Sequence, residues 1–320
     1  MILIATATLL ALALGATAPA AAQEFPSKPV RIVVPWSPGG GADIVARLLS
    51  AKLTEVWGKS VYVENKPGAT GTVGSDMVAK SAADGHTLLL TNNSTYVMAV
   101  GMMKLPYDQA KDLKPISRVV EVPHVLSVNA GVPASSMAEL IALAKSKPGQ
   151  MPYGTSGQGS TPHIAGEMFM AATGTKLLQV PYKGSGQSLP DTASGNVLVS
   201  FDTAPSALPF IQSGKLRPLA IMSSRRLDSL PGIATTAELG APNALGVTWY
   251  GLYGPGKLPE AVTLKIHADI LRVVQLPDVK ARLAAMGGIE TASLPPDTFA
   301  SEVQAEIKRY LPVLQTIKTE

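Results

Sequence analysis

Three consecutive glycines stand in the stretch Pro35-Trp36-Ser37-Pro38-Gly39-Gly40-Gly41-Ala42-Asp43, directly after a β-branched run at residues 30–34. Beyond them Ile44, Val45, Leu48, Leu49, Leu53, Val56 and Trp57 recur at helical spacing, so the order is strand, glycine turn, helix. Glycine puts no Cβ between backbone and ligand, and a helix start offers unpaired N–H groups at the positive end of its dipole. Such a turn suits an anion. A nucleotide is disfavoured, because the third glycine of a dinucleotide fingerprint would fall at Ile44 and no Lys followed by Ser or Thr completes a phosphate loop. A small carboxylate held by N–H groups, hydroxyls and amides fits better. A single unit of this kind has low specificity, and the same glycines also serve a plain tight turn with Asp43 stabilising the helix start.

A second unit repeats the design. A strand at 151–154 leads through Thr155-Ser156-Gly157-Gln158-Gly159-Ser160 to a helix opening Thr161-Pro162, with Thr161 expected as N-cap and Pro162 as the first helical residue. Two strands end on polar side chains at their carboxyl ends, where open α/β sheets bind ligands: 87–91 runs into Asn92-Asn93-Ser94-Thr95, and 197–202 ends on Asp202. Two anion-receptive turns point to a ligand held between two lobes. Asp202 has the wrong sign for a carboxylate, so it either meets an amino group on the ligand or accepts local backbone hydrogen bonds. Trp36 is either a cleft wall or a core aromatic. Lys183 reads as a solvated lysine beside a glycine loop. His86, His124, His163 and His267 are scattered, and the His163/Glu167 pair lacks a third ligand, so neither metal nor cofactor is expected. A hydrolase is disfavoured because Gln158 occupies the final glycine position of a nucleophile elbow after Gly154 and Ser156.

The elements that position these residues alternate. A strand at 60–64, the loop Asn65 to Gly71, a helix at 72–81 and a strand at 87–91 follow the first helix, the pattern of an open, largely parallel sheet. Pro123 and His124 interrupt an apolar strand at 119–128, and since proline cannot donate to a central ladder this segment reads as a crossing between domains. Ser136 and Glu139 form a capping box. Residues 245–253, with Trp249, Tyr250 and Tyr253, read as the return crossing, and a helix at 297–318 ends the chain. The α/β chain thus divides into a discontinuous first domain, 23–123 plus 246–320, and a second, 124–245.

Residues 1–14 are almost wholly apolar, and Ala20 and Ala22 precede Gln23, so residues 1–22 are expected to be a cleaved secretory signal, although no Lys or Arg precedes the apolar core. With no later apolar span, the mature chain is expected in the periplasm. Cysteine is absent, which excludes disulfides and thiolate metal sites. Lys and Arg total 27 against 23 Asp and Glu, a mild excess without a basic run, so nucleic acid is not an expected partner.

Several of these pieces together resemble the periplasmic receptors of tripartite tricarboxylate transporters, the Bug family. They are Pro35 to Asp43; Val63-Glu64-Asn65-Lys66-Pro67-Gly68-Ala69-Thr70-Gly71; Gly154-Thr155-Ser156-Gly157 with Ser160-Thr161-Pro162-His163; Val180-Pro181-Tyr182-Lys183-Gly184; and Ala207-Leu208-Pro209 with Gly214-Lys215-Leu216-Arg217-Pro218-Leu219-Ala220. Trp36 stands where Phe or Tyr is frequent, and Thr70 sits in a loop where glycine is common. The resemblance implies a two-lobed type II periplasmic binding protein fold that closes at a hinge on a small organic carboxylate. It also implies delivery to the membrane permease subunits of such a transporter; docking on a signalling receptor is the other use of a closed form. A monomer is expected. Carried over by motif, Trp36, Ser37, Gly39, Gly40, Gly41, Asn92, Ser94, Ser156, Ser160, Thr161, Tyr182 and Asp202 should line the ligand cleft.

Overall fold

The computed structural model describes residues 25–285, 287 and 294–318. The expected signal at 1–22 lies outside these residues. In chain order the first elements are β1 (Val30–Val34), α1 (Gly41–Trp57), β2 (Val61–Asn65), α2 (Thr72–Ala79) and β3 (Thr87–Asn92). A π-helical turn (Ser94–Met98) and two four-residue helices lead to β4 (Leu113–Asn129). Then come α3 (Met137–Ser146), β5 (Pro152–Thr155), α4 (Thr161–Thr173), β6 (Leu178–Pro181), α5 (Ser185–Ser194), β7 (Val199–Thr203), α6 (Ala204–Gln212) and β8 (Leu216–Ile221). The chain returns through β9 (Val247–Pro255) and finishes with α7 (Glu260–Gln275), α8 (Pro277–Ala285) and α9 (Pro296–Lys318).

The strands form one curled, mixed sheet in the order β2-β1-β3-β9-β4-β7-β5-β6, with β8 also paired to β4. The outer strands of each half are parallel, as the strand-helix alternation predicts. The middle is antiparallel, because β4 and β9 run between the halves rather than within βαβ units. The 17-residue β4 pairs with β9 up to Pro123, opposite Val247, and from His124 onward with β7 and β8. The strand therefore changes partners at its proline, where the missing N–H makes a break in the ladder least costly.

Both faces of the first half-sheet are covered. Ile32, Val34, Leu88 and Leu90 face a core completed by α1 and α7, while Val33 and Leu89 face Tyr96, Tyr253, Phe299 and Val303. Burial on both faces accounts for the uninterrupted apolar runs of β1 and β3. The second half has its own core around Leu126, Tyr153, Phe169 and Phe201. Among the described residues no helix is long and apolar enough to cross a membrane.

Candidate ligand-binding site

The carboxyl ends of β1, β3, β5 and β7 meet where the two halves face each other. Four helices, α1, α4, α5 and α6, start there, and Gly40, Gly41 and Ala42, Thr161 and Pro162, Ser185, and Thr203 from those starts line one small cavity together with Trp36, Asn92, Ser94, Ser156, Asp202 and Tyr250. No Lys, Arg or His is among these lining residues. Helix N-termini, whose first-turn N–H groups have no intrahelical acceptor and carry the positive end of the dipole, are the features here that suit an anion. The cavity leaves about 20 Å³ for the centres of water-sized molecules, room for a water or two. A neighbouring cavity of about 270 Å³ shares Trp36 and Ser156 and is lined further by Gly68 to Gly71, Gly157, Gln158, Tyr182 and Lys183.

The first glycine turn is fixed by Asp43. Its Oδ2 accepts from the Gly39 N–H at 3.0 Å and from Arg47 Nε at 2.9 Å, and its Oδ1 accepts from Asn65 Nδ2 at 3.0 Å. Asn65, the last residue of β2, also donates to the Trp36 carbonyl and so ties the turn to that strand. Burial by itself would raise the Asp43 carboxyl; the Arg47, Gly39 and Asn65 hydrogen bonds together hold it below the usual carboxylate value. The Gly39 N–H is thereby engaged within the turn. Gly41 is glycine for a different reason: a Cβ there would overlap the Tyr250 hydroxyl and come within 2.8 Å of Thr203 Oγ1.

The second turn meets the first half across the cleft. Thr161 N–H donates to Ser94 Oγ at 2.8 Å, and Thr70 Oγ1 donates to the Gln158 carbonyl at 2.8 Å. Thr161 Oγ1 contacts Thr248 Oγ1 at 2.7 Å, which in turn contacts Nε2 of the buried His124 at 2.7 Å, a chain of hydrogen bonds from the cleft to the strand crossing. Closer still is the approach of α5: a Cβ on Gly186 would overlap the Pro38 carbonyl oxygen, and one on Gly184 would lie 2.5 Å from Ser37 Oγ. These contacts make this a closed arrangement of the two halves.

Several boundaries differ from the sequence reading, that of α4 among them. Ser160, not Thr161, is the N-cap of α4, and Thr161 is its first helical residue, so the Thr161 hydroxyl bonds across the cleft instead of to its own helix. Residues 185–194, to which the sequence pattern assigned no element, form α5; Gly186 and Pro190 within it are poor helix formers and hide the signal. Of the predicted cleft residues, Trp36, Gly40, Gly41, Asn92, Ser94, Ser156, Thr161 and Asp202 line the small cavity. Trp36 also packs in the first core. Ser37 is buried against Gly184 and Gly186, Ser160 is buried behind the helix start, and Tyr182 lines the neighbouring cavity with its hydroxyl donating to Asp191. His163 accepts from Gly159 N–H through Nδ1 and faces Glu167 through Nε2, which orders the turn. Sequence reading missed Ala42, Pro162, Ser185, Thr203 and Tyr250 as lining residues; Tyr250 lay in the recognised return crossing, and Ser185 directly follows Gly184 of a quoted motif.

Fold and site together define a two-lobed protein of the periplasmic binding class. The family model of the tripartite tricarboxylate transporter family receptor, TctC, matches residues 45–318, and the chain belongs to that family. It is 37% identical over 296 residues to protein BugT of Bordetella pertussis, covering 91% of this chain and 90% of that one. Among solved structures it resembles Rhodopseudomonas palustris Rpa4515 with adipate (TM-score 0.88, 32% identity, 92% of this chain and 98% of the other). MatC from the same organism with bound malate is similar as well (TM-score 0.84, 30% identity, 91% and 100%).

Proposed function

We propose that this protein is a periplasmic solute receptor that captures a small organic acid between lobes 23–123 plus 246–320 and 124–245, and delivers it to the permease subunits of a tripartite tricarboxylate transporter. The observation that carries this reading is a cavity ringed by four helix N-termini and hydroxyls without a cationic side chain. Such a cradle favours an anion of low charge, held by main-chain N–H groups as a carboxylate is. The similarity to proteins solved with adipate and with malate supports the same class of ligand. One carboxylate occupies the small cavity, and the rest of the ligand extends past Trp36 and Ser156 into the neighbouring one. The cleft must open to admit it, so ligand favours the closed form by its greater affinity for that form. Catalysis forms no part of this reading.

A thermal-shift screen of the mature chain tests it, with dicarboxylates, tricarboxylates, aromatic acids, amino acids and neutral sugars. At one hundred times Kd a true ligand adds about 2.7 kcal/mol of stability. Stabilisation by sugars with silence from every acid would refute the proposal.

A further inference from the structure

Asp202 places a carboxylate inside a site whose other features suit a carboxylate ligand. It is 1% exposed, and its Oδ1 accepts from Thr203 N–H at 2.7 Å and from Ser185 Oγ at 2.8 Å. Its Oδ2 is fully buried, lacks a hydrogen-bond partner among the described residues, and belongs to a residue lining the small cavity. A buried acceptor left without a donor is strongly unfavourable, and more so when it is ionised. None of the lining side chains is a cation that could balance it. Asn92 Oδ1, on the same cavity, is a second buried acceptor without a partner among the described residues. A plain carboxylate would bring a second negative charge and no hydrogen for either oxygen.

We propose that Asp202 makes this receptor selective for acids bearing a hydrogen-bond donor, a hydroxyl or an ammonium group, on the carbon beside the gripped carboxylate. The donor reaches Asp202 Oδ2 while the helix N-termini hold the carboxylate. This deepens the organic-acid reading above and rests on it. Burial pushes the Asp202 carboxyl up to about 6, the response of a carboxylate that lacks a compensating partner.

Isothermal titration at pH 7.5 with matched acids tests the assignment: succinate, malate and aspartate; glutarate, 2-hydroxyglutarate and glutamate; phenylacetate, mandelate and phenylglycine; tricarballylate and citrate. In the series that binds, the donor-bearing member should bind at least about tenfold more tightly than its donor-free counterpart, as expected of a hydrogen bond to a charged group. Whether the hydroxy or the amino acid leads identifies the donor. Asp202→Asn keeps an oxygen for Thr203 and Ser185 and should erase that preference, most fully for an ammonium. Equal or tighter binding of the donor-free acids by the wild-type chain would overturn the role of Asp202 and leave the organic-acid reading standing. Silence from all eleven acids, with a positive response to a sugar, would overturn both.

Discussion

The two glycine turns look alike in sequence and do different work in the structure. The first is held from within its own lobe, by Asp43 on Gly39, Arg47 and Asn65. The second is tied locally through Thr155 Oγ1 to Gly157 N–H and His163 Nδ1 to Gly159 N–H, and its helix start reaches across to Ser94. The first turn is a platform held within its own lobe; the second, also tied locally, is a jaw that adds contacts to the facing lobe.

The platform is the more sensitive half, and Gly41→Ala should show the largest effect. Its Cβ has nowhere to go beside the buried Tyr250 and Thr203, so ligand affinity should fall about a hundredfold, the upper end of what overpacking costs. A titration of the variant that matches wild type would show that the platform yields as freely as the jaw.

Next in size is a contrast in pH response between Asp202 behind the jaw and His124 at the crossing. The Asp202 carboxyl rises from 3.8 to about 6 on burial. The folded state then holds its proton where the unfolded state has lost it, so this group removes stability as pH rises from 4 to 6, on the order of 3 kcal/mol in all. His124 is pushed by burial from 6.5 down to about 3, so it removes stability as pH falls below 6.5. The slopes oppose each other in wild type. Asp202→Asn should be more stable than wild type at pH 7 and near equal at pH 4, with a melting temperature that falls on acidification as His124 dictates. A stability difference independent of pH would refute the assignment.

Asp43→Ala should destabilise the platform by about 2 kcal/mol by stranding the Gly39 N–H and the Asn65 amide, and should weaken ligand binding with it. Denaturant midpoints and titrations on the same variant test this. Loss of stability with unchanged affinity would mean that the turn is not what grips the ligand.

The smallest effect is expected at the jaw. Gly186 does not itself line the small cavity, yet the Cβ of Gly186→Ala would overlap the Pro38 carbonyl oxygen and hold the lobes apart. Affinity should fall by roughly tenfold, mainly through faster dissociation, since an incompletely closed form binds less well. An unchanged dissociation rate would show that closure at α5 contributes nothing to retention.

Much of the fold was legible because its signals are local. Pro123 lies where β4 leaves β9, the β-branched run at 30–34 marked the strand β1, and the glycine triplet marked the start of α1. Helix α5 was not legible, since Gly186 and Pro190 speak against a helix that tertiary contacts nonetheless hold. The N-cap of α4 was misplaced by one residue for a related reason: Ser160 and Thr161 are both good caps, and Thr248 and Ser94 engage the second.

The amino-acid order alone determined the two strand-turn-helix units, because backbone conformation and apolar periodicity depend on near neighbours. Only the folded chain decided that Tyr250 and Thr203 deny Gly41 a side chain, that Ser185 and Thr203 hold one oxygen of Asp202 and leave the other without a donor, and that α5 closes against Pro38. Those side chains are separated by up to some two hundred positions in the sequence. They share a cavity because the sheet carries β1, β3, β5 and β7 to one edge, a juxtaposition that no local pattern encodes.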